Sequence, residues 1–500
     1  MIHLDVRRVS GFAGLFLFLL VVLPAAAQRS RGAYKDVKEM PQGPVGERLK
    51  ELLRVYNADD PAQVRKLVTD AFTAQFRDAF PMDEHVATFA EVFGRNGQVE
   101  FYGVRKYDDG GEANETVAIV RSKLSDSWRG FTLIVEPDPP HLIAGLNFSP
   151  ARLPSDLPPP KKLSESEMLD ELKKLVMKLV DAQVFSGTVL VAKDGKVLFS
   201  GAYGLACREY NVANKLDTKF NLGSMNKMFT AVAVSQLAQQ GKLSFDDKLG
   251  KYLSEDWLPR ETLDKITIGQ LLTHTSGLGS YFTDKFMKSS RAMYRVVDDY
   301  KPVVAEEELR FEPGADWGYS NTGFLLLGAV IEKVSGRSYF DYIRENIYKP
   351  AGMVNSDSYE MDRFPPNLAF GYSKEREGGH VVYVNNLYKH VIKGGPAGGG
   401  FSTVEDLLRF DLALRGHKLL NKEFTENLWT PKPKSPDYGY GFGLSGAEGN
   451  RIVGHGGGFP GIASDLDMYL DSGYTVAVMS NYDEGSRAIA QKLREWLTAK

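Results

Sequence analysis

The sequence predicts two α+β domains in tandem, a small one followed by a larger one built around an antiparallel sheet. Three observations carry this reading. Residues 151–162 read ARLPSDLPPPKK, with Pro154 and prolines at 158 to 160, a composition that makes a stiff, extended connector and marks a domain boundary. Before the connector, helical periodicity gives way to strand alternation, the order of a small α+β unit over residues 40–150. After it, residues 163–500 begin and end in helical patterns beside β-hairpin patterns, with a helical stretch inserted between them.

Composition narrows the function classes. The chain carries 61 Lys and Arg against 64 Asp and Glu in 500 residues, a net charge of -3 that lacks the basic footprint of a nucleic-acid binder. With 43% hydrophobic and 25% charged residues it has the make-up of an ordinary folded protein. One cysteine, Cys207, cannot form an internal disulfide. The eight histidines show no ligand spacing, no pair at i, i+4 and no HExxH, so neither a metal nor another cofactor is expected.

Arg7 and Arg8 precede an apolar run from Gly11 to Leu23, and Ala25-Ala26-Ala27 follows. This is the pattern of a secretory signal peptide over residues 1–27, with cleavage after Ala27. The run is shorter than the roughly 20 apolar residues a spanning helix needs, which weighs against a retained anchor. An exported, periplasmic protein with no stable membrane span after cleavage is the expectation. Without disulfides such a protein relies on core burial alone.

In the first domain, Asp60 caps a helix with Pro61 at its first position, and Val64, Leu67, Val68, Ala71 and Phe72 line one face. From Gln98 the pattern alternates, giving four strands: Val99 to Lys106, Glu115 to Ser122, Trp128 to Val135 and Leu142 to Phe148, the first two joined by a turn at Asp108-Asp109-Gly110-Gly111. Helices followed by a curved antiparallel sheet resemble the SnoaL-like domains, which often only bind or dimerise. His85 and His141 are isolated and read as structural.

In the second domain, Ser164 and Glu167 form a capping box ahead of Met168, Leu169, Leu172, Leu175, Val176 and Leu179. Gly187 to Lys193, Asp194-Gly195 and Lys196 to Ser200 read as a hairpin with a type I′ turn. Arg451 to Gly454, Asp465 to Leu470 and Thr475 to Ser480 read as three further strands, and Ala488 to Leu497 as a closing helix.

Three short segments carry chemistry. Ser224 opens an apolar helix, and Lys227, three residues on, lies on the same face within reach of its hydroxyl. The helix N-terminus supplies positive potential, and apolar neighbours favour the neutral amine that a base requires. Tyr319-Ser320-Asn321 sits at a loop-to-helix junction, where a phenol can relay a proton and an amide can hold substrate. His455-Gly456-Gly457-Gly458 follows a strand and offers backbone N–H groups along an edge that a substrate can approach. Each segment alone has a bland reading: a helix cap, a buried tyrosine, a flexible loop.

Together, in this order, they resemble the serine β-lactamase and DD-peptidase superfamily, in its class C-like branch. The likeness runs over residues 164–500 and includes Thr267 to Leu278, Tyr319 to Gly336 and Gly398 to Thr403. The resemblance implies Ser224 as nucleophile, Lys227 as the amine that activates it and Tyr319 as second acid/base. It also implies substrate contacts from Asn321, His455 and Gly457, and an oxyanion hole from the N–H groups of Ser224 and Gly458. His455 and Gly456 depart from the β-lactamase pattern, which has a lysine and a threonine there. A neutral histidine suits a penicillin carboxylate poorly, so esters, amides and D-amino-acid peptides stay open.

Two other readings compete with an acyl-enzyme serine hydrolase. A Ser-His-Asp enzyme would use His274 or His455 as base, but the chain has no Gly-x-Ser-x-Gly elbow. A catalytically idle module would use the same fold to bind cell-wall peptide or a partner protein, yet has no chemical need of Ser224, Lys227 and Tyr319 together. Gly279 to Trp317 is long for a connector, and its Tyr281, Phe282, Phe286, Tyr294 and Trp317 either shape a pocket over Ser224 or fill a local core. A small-molecule or peptide substrate is the expected partner, and the sequence does not speak to oligomeric state.

Overall fold

Helical and strand patterns resolve into two large sheets, each backed by its own hydrophobic packing, in the computed structural model, which describes residues 32–108, 114–158, 161–363, 365–377 and 380–499. The expected signal peptide, part of the first hairpin turn and two prolines of the connector lie outside the described residues.

The first domain runs β1 (Tyr34–Val37), α1 (Pro44–Ala58), α2 (Pro61–Ala71), α3 (Met82–Asn96), β2 (Val99–Tyr107), β3 (Glu115–Ser122), β4 (Trp128–Val135) and β5 (Ile143–Pro150). Its strands pair in chain order, each antiparallel to the next. Asp60 caps α2 by accepting the Ala62 N–H, as its sequence indicates. Leu49, Leu52 and Tyr56 of α1, Leu67 and Val68 of α2 and Phe89 of α3 pack on Val120, Phe131 and Leu133 of the sheet.

Two boundaries move. The strand β1 lies ahead of residue 40, because Asp36 on it forms a fully buried ion pair with Arg105 of β2 at 2.9 Å. The start of the connector is not free either. Ser155 donates its N–H to Asp36 (2.8 Å), Asp36 donates its own to the Ser155 hydroxyl (2.9 Å), and Arg105 donates to the Arg152 carbonyl (2.9 Å). Residues 152 to 155 thus belong to the first domain. His85 bonds the Arg77 carbonyl through Nε2 (3.0 Å) among Phe72, Phe76 and Phe80, and His141 closes a turn at φ 58°.

The second domain opens with α4 (Glu165–Asp181), whose capping box forms as the sequence indicates, Ser164 and Glu167 each accepting the other's N–H. Then come β6 (Gly187–Lys193) and β7 (Lys196–Tyr203), joined through Asp194 and Gly195, both at positive φ as a type I′ turn requires. The central helix α5 (Asn226–Gln239) and α6 (Asn321–Ser335) belong to the helical insertion, and β8 (Gly443–Ser445), β9 (Ile452–Phe459), β10 (Ile462–Tyr469), β11 (Tyr474–Ser480) and α7 (Arg487–Leu497) complete the chain. One antiparallel sheet results, in the order β8-β9-β10-β11-β6-β7.

Side-chain alternation along the strands separates the two faces of this sheet. Val189 and Val191 pack with α4 and α7, whereas Leu190 and Ala192 pack with the helical insertion. Buried on nearly every side, α5 carries no polar stripe, the pattern of a helix enclosed by its domain. Among the described residues no helix is long and apolar enough to cross a membrane.

Removing one partner of a buried ion pair leaves the other charge uncompensated. Asp36→Asn is expected to cost the first domain about 3 kcal/mol, read as a lower urea midpoint; a loss under about 1 kcal/mol, the scale of an exposed pair, would contradict this account of β1.

Candidate active site

Ser224 stands in a short 3-10 turn, Gly223–Met225, immediately before α5. The sequence places it at the helix opening, and the structure inserts this tight turn there. Gly223 has φ +50°, and a Cβ on it would come within 2.9 Å of the Gly458 nitrogen, so only glycine lets the turn lie against β9.

Lys227 is wholly buried one turn below Ser224. Its Nζ is 3.2 Å from the Ser224 hydroxyl, 2.9 Å from the Asn321 side-chain oxygen and 2.6 Å from the Ala397 carbonyl. Among the described residues no carboxylate pairs with it, and burial drives its pKa well below the ordinary lysine value. In the neutral state the amine has two N–H groups and one lone pair. Two of its neighbours are oxygens that can only accept, so they take the N–H groups and the lone pair faces the Ser224 O–H.

Ala397 belongs to a glycine-rich loop tied to α5 by three successive carbonyls. Asn226 donates to Gly395 (2.7 Å), Thr230 to Pro396 (2.8 Å) and Lys227 to Ala397. The loop holds the Ser224 turn as well, with Gly399 N–H on the Gly223 carbonyl (3.2 Å) and Leu222 N–H on that of Gly400 (2.7 Å).

Tyr319 and Asn321 come from the junction ahead of α6, where Ser320 caps the helix by accepting the Gly323 N–H (2.8 Å). Burial pushes the Tyr319 phenol above its ordinary pKa, and a hydrogen bond with Ser224 opposes that without overcoming it, so the phenol is a proton donor at neutral pH. The Lys227 amine lies 4.8 Å from the Tyr319 ring centroid. Asn321 donates to the Ser280 hydroxyl (3.1 Å) while accepting from Lys227.

The third segment differs from its expected place. His455 to Gly458 are not a loop after a strand; they lie inside β9, which continues to Phe459. The Leu470 N–H donates to the Arg451 carbonyl (2.9 Å), which sets the register: odd-numbered residues of β9 bond to β10. The backbone groups of Gly456 and Gly458 therefore point to the opposite edge. There the β8 ladder stops at Gly454, leaving that edge to the Ser224 turn.

His455 is neutral. Burial, with the nearby Lys227 adding to it, brings its pKa down to about 3 from the usual 6.5. Its Nδ1 is 2.5 Å from the Gly456 carbonyl, which can only accept, so the proton sits on Nδ1 and Nε2 accepts from the Tyr438 hydroxyl at 2.9 Å.

The structure thus brings Ser224, Lys227, Tyr319, Asn321 and Gly458 to one place, with His455 and Gly457 behind the edge. Sequence reasoning missed Tyr438, Ser280 and the Ala397 carbonyl. A backbone carbonyl leaves no signature in side-chain identity, and Tyr438 lies in an irregular stretch without a motif. Of the aromatics in the long connector, Tyr281, Phe286 and Tyr294 are buried and pack with Tyr300 as a local core. Phe282, stacked on Phe459 at 5.8 Å, and the 40% exposed Trp317 are the ones left near the surface.

Residues 172–500 match the family described as Beta-lactamase. "Penicillin-binding protein 4*" of Bacillus subtilis (strain 168) is 34% identical over 328 residues, covering 63% of this chain and 72% of that protein. The crystal structure of a penicillin binding protein from Bacillus halodurans superimposes with a TM-score of 0.59 at 32% identity, over 64% of this chain and 98% of that one. A D-stereospecific amidohydrolase from Streptomyces sp. gives 0.52 at 28% identity, over 63% and 96%.

Two predictions follow from the strand. A Cβ on Gly457 would fall 1.9 Å from the Leu222 carbonyl, a backbone clash, whereas one on Gly458 meets nothing closer than the end of the Arg487 side chain at 3.4 Å. Gly457→Ala should therefore lower kcat about 100-fold, the cost of a misplaced oxyanion donor, and Gly458→Ala less than about ten-fold; equal losses would refute the register. For His455, the unfolded chain takes up a proton near pH 6.5 and the folded one only near 3. Its contribution is complete above the unfolded value and is lost as the pH falls towards the folded one. Relative to His455→Gln, the native chain should lose up to about 1.4 kcal/mol per pH unit in that window, measured by urea titration; parallel curves would contradict a neutral His455.

Proposed function

The chain belongs to the Beta-lactamase family of serine hydrolases, and from that premise we propose that it is an exported enzyme that cleaves amide or peptide bonds beside D-amino acids through an acyl-enzyme. One observation carries the reading: a buried amine with no carboxylate partner among the described residues, 3.2 Å from the hydroxyl of a serine that also meets a buried phenol.

Chemistry follows from these positions. Ser224 Oγ attacks the substrate carbonyl as its proton passes to the neutral Lys227 amine. Negative charge develops on the carbonyl oxygen beside the Ser224 N–H, in the first turn before α5, and the Gly458 N–H on the free strand edge. Tyr319 gives its proton to the departing nitrogen and is left as a phenolate beside the Lys227 ammonium. Water then attacks the ester on Ser224, with the same groups taking its proton and returning one to the serine.

The choice of D-amino-acid amides is supported by the likeness to the Streptomyces D-stereospecific amidohydrolase and to penicillin-binding proteins. A neutral His455, with its Nδ1 and Nε2 both engaged within the protein, offers no cation to a penicillin carboxylate. Export is supported by Arg7, Arg8 and the apolar run ending in Ala25-Ala26-Ala27. The idle-module alternative gives no reason for a lone buried amine against Ser224, since burying it costs stability and adds nothing to binding.

Intact mass after exposure to a fluorophosphonate tests the proposal. One adduct is expected on the native protein and none on Ser224→Ala. Lys227→Ala should slow labelling at least about 100-fold, the scale of a lost general base. An adduct that survives in Ser224→Ala would end the assignment.

A further inference from the structure

His274 lies outside the three motif segments, yet it touches the catalytic tyrosine from two directions. It follows the short helix Ile268–Leu272, is fully buried and has φ +62°. Its Nδ1 accepts the Ser320 N–H at 3.0 Å, and its own carbonyl accepts the Gly318 N–H at 2.8 Å. The residues on either side of Tyr319 therefore hang on this one histidine. Its ring lies 4.3 Å from the Tyr319 ring at 35° and 4.8 Å from that of Tyr438, whose hydroxyl holds His455.

Packing alone does not account for an imidazole here. Because Nδ1 accepts, the neutral ring carries its proton on Nε2, and that atom is buried without a hydrogen-bond partner among the described residues. A residue that only filled space would do better as a hydrocarbon, since an unpaired buried donor is costly. What a hydrocarbon cannot do is accept the Ser320 N–H from within a flat ring lying against Tyr319. The left-handed backbone adds to the same geometry, turning the chain so that carbonyl and ring address one loop.

We propose that His274 is a positioning residue for proton transfer to the leaving group, holding the Tyr319 phenol at Ser224 through the backbone on both sides of it and through the ring face. This rests on the reading of Tyr319 as the second acid/base.

The test compares kcat/KM for two substrates with one N-acetyl-D-amino acyl group, a p-nitroanilide and a p-nitrophenyl ester. The anilide nitrogen must be protonated to leave, whereas p-nitrophenolate departs without a proton. Rates are taken per active site counted by fluorophosphonate labelling, so that only folded enzyme contributes. In Tyr319→Phe the anilide rate should fall about 100-fold and the ester rate far less, as befits loss of a general acid. In His274→Phe, which keeps a ring but not the acceptor, the anilide-to-ester ratio should fall about ten-fold. In His274→Asn, which tolerates positive φ and keeps an acceptor but loses the ring, it should fall about three-fold. That second variant keeps the test readable if phenylalanine does not fold. An unchanged ratio in His274→Asn, or both rates falling equally in His274→Phe, would overturn the proposal and leave His274 as packing. An unchanged ratio in Tyr319→Phe would instead remove the reading on which it rests.

Discussion

The arrangement depends on a lysine amine kept in the interior with no carboxylate paired to it among the described residues. Lys227 contacts Ser224 on its own helix turn, Asn321 at the start of α6 and the Ala397 carbonyl of the glycine loop, so three distant segments converge on one nitrogen. An ammonium there would lose its hydration with no anion in return, and the site avoids that cost by favouring the neutral amine. In the proposed mechanism the base and a structural clamp are thus the same group.

Much of the second domain can be understood as support for that point. The enclosed α5 carries Lys227 at its opening, just after the Ser224 turn, and the carbonyls of residues 395 to 397 lock its first turns. Its nucleophile turn is bound to the sheet by the Ser464 hydroxyl on the Leu222 carbonyl at 2.7 Å. From the other side β9 brings backbone donors rather than side chains, which is why glycines serve there. Arg487 of α7 backs the strand by bonding the Gly457 carbonyl (3.0 Å) and Asp465 (2.6 Å). The first domain reaches the same area, where Arg95 of α3 pairs with Glu484 at 3.5 Å, close behind Arg487.

What the sequence made legible, and what it did not, follows from the kind of group involved. Ser224 and Lys227 stand at i, i+3 beside a helix opening, and Tyr319 and Asn321 flank a loop-to-helix junction, side-chain patterns that local sequence exposes. The capping box at Ser164 and Glu167 and the Asp194-Gly195 turn are local in the same sense. The Ala397 carbonyl, by contrast, acts through an atom every residue has, and a separation of 170 residues from Lys227 leaves no local trace of their contact. Glycines at 456 to 458 read as a loop because their propensity is poor for strands; the ladder with β10 overrides it. Strand β1 is only four residues long and is fixed by the buried Asp36 to Arg105 pair, a contact across the domain rather than a pattern within it. Connector aromatics were ambiguous for a similar reason: hydrophobicity alone does not separate a pocket wall from a local core.

The most direct test of the central claim is the protonation state of Lys227 itself, followed by nitrogen-15 NMR of the lysine side chain in the resting full-length protein, with Lys227→Arg used to assign the resonance. The account predicts a Lys227 amine that is already neutral while the ordinary lysines, titrating at about 10.4, are still charged. A Lys227 resonance that stays that of an ammonium up to about pH 10 would contradict it, because the buried nitrogen could not then take the serine proton as the first step requires.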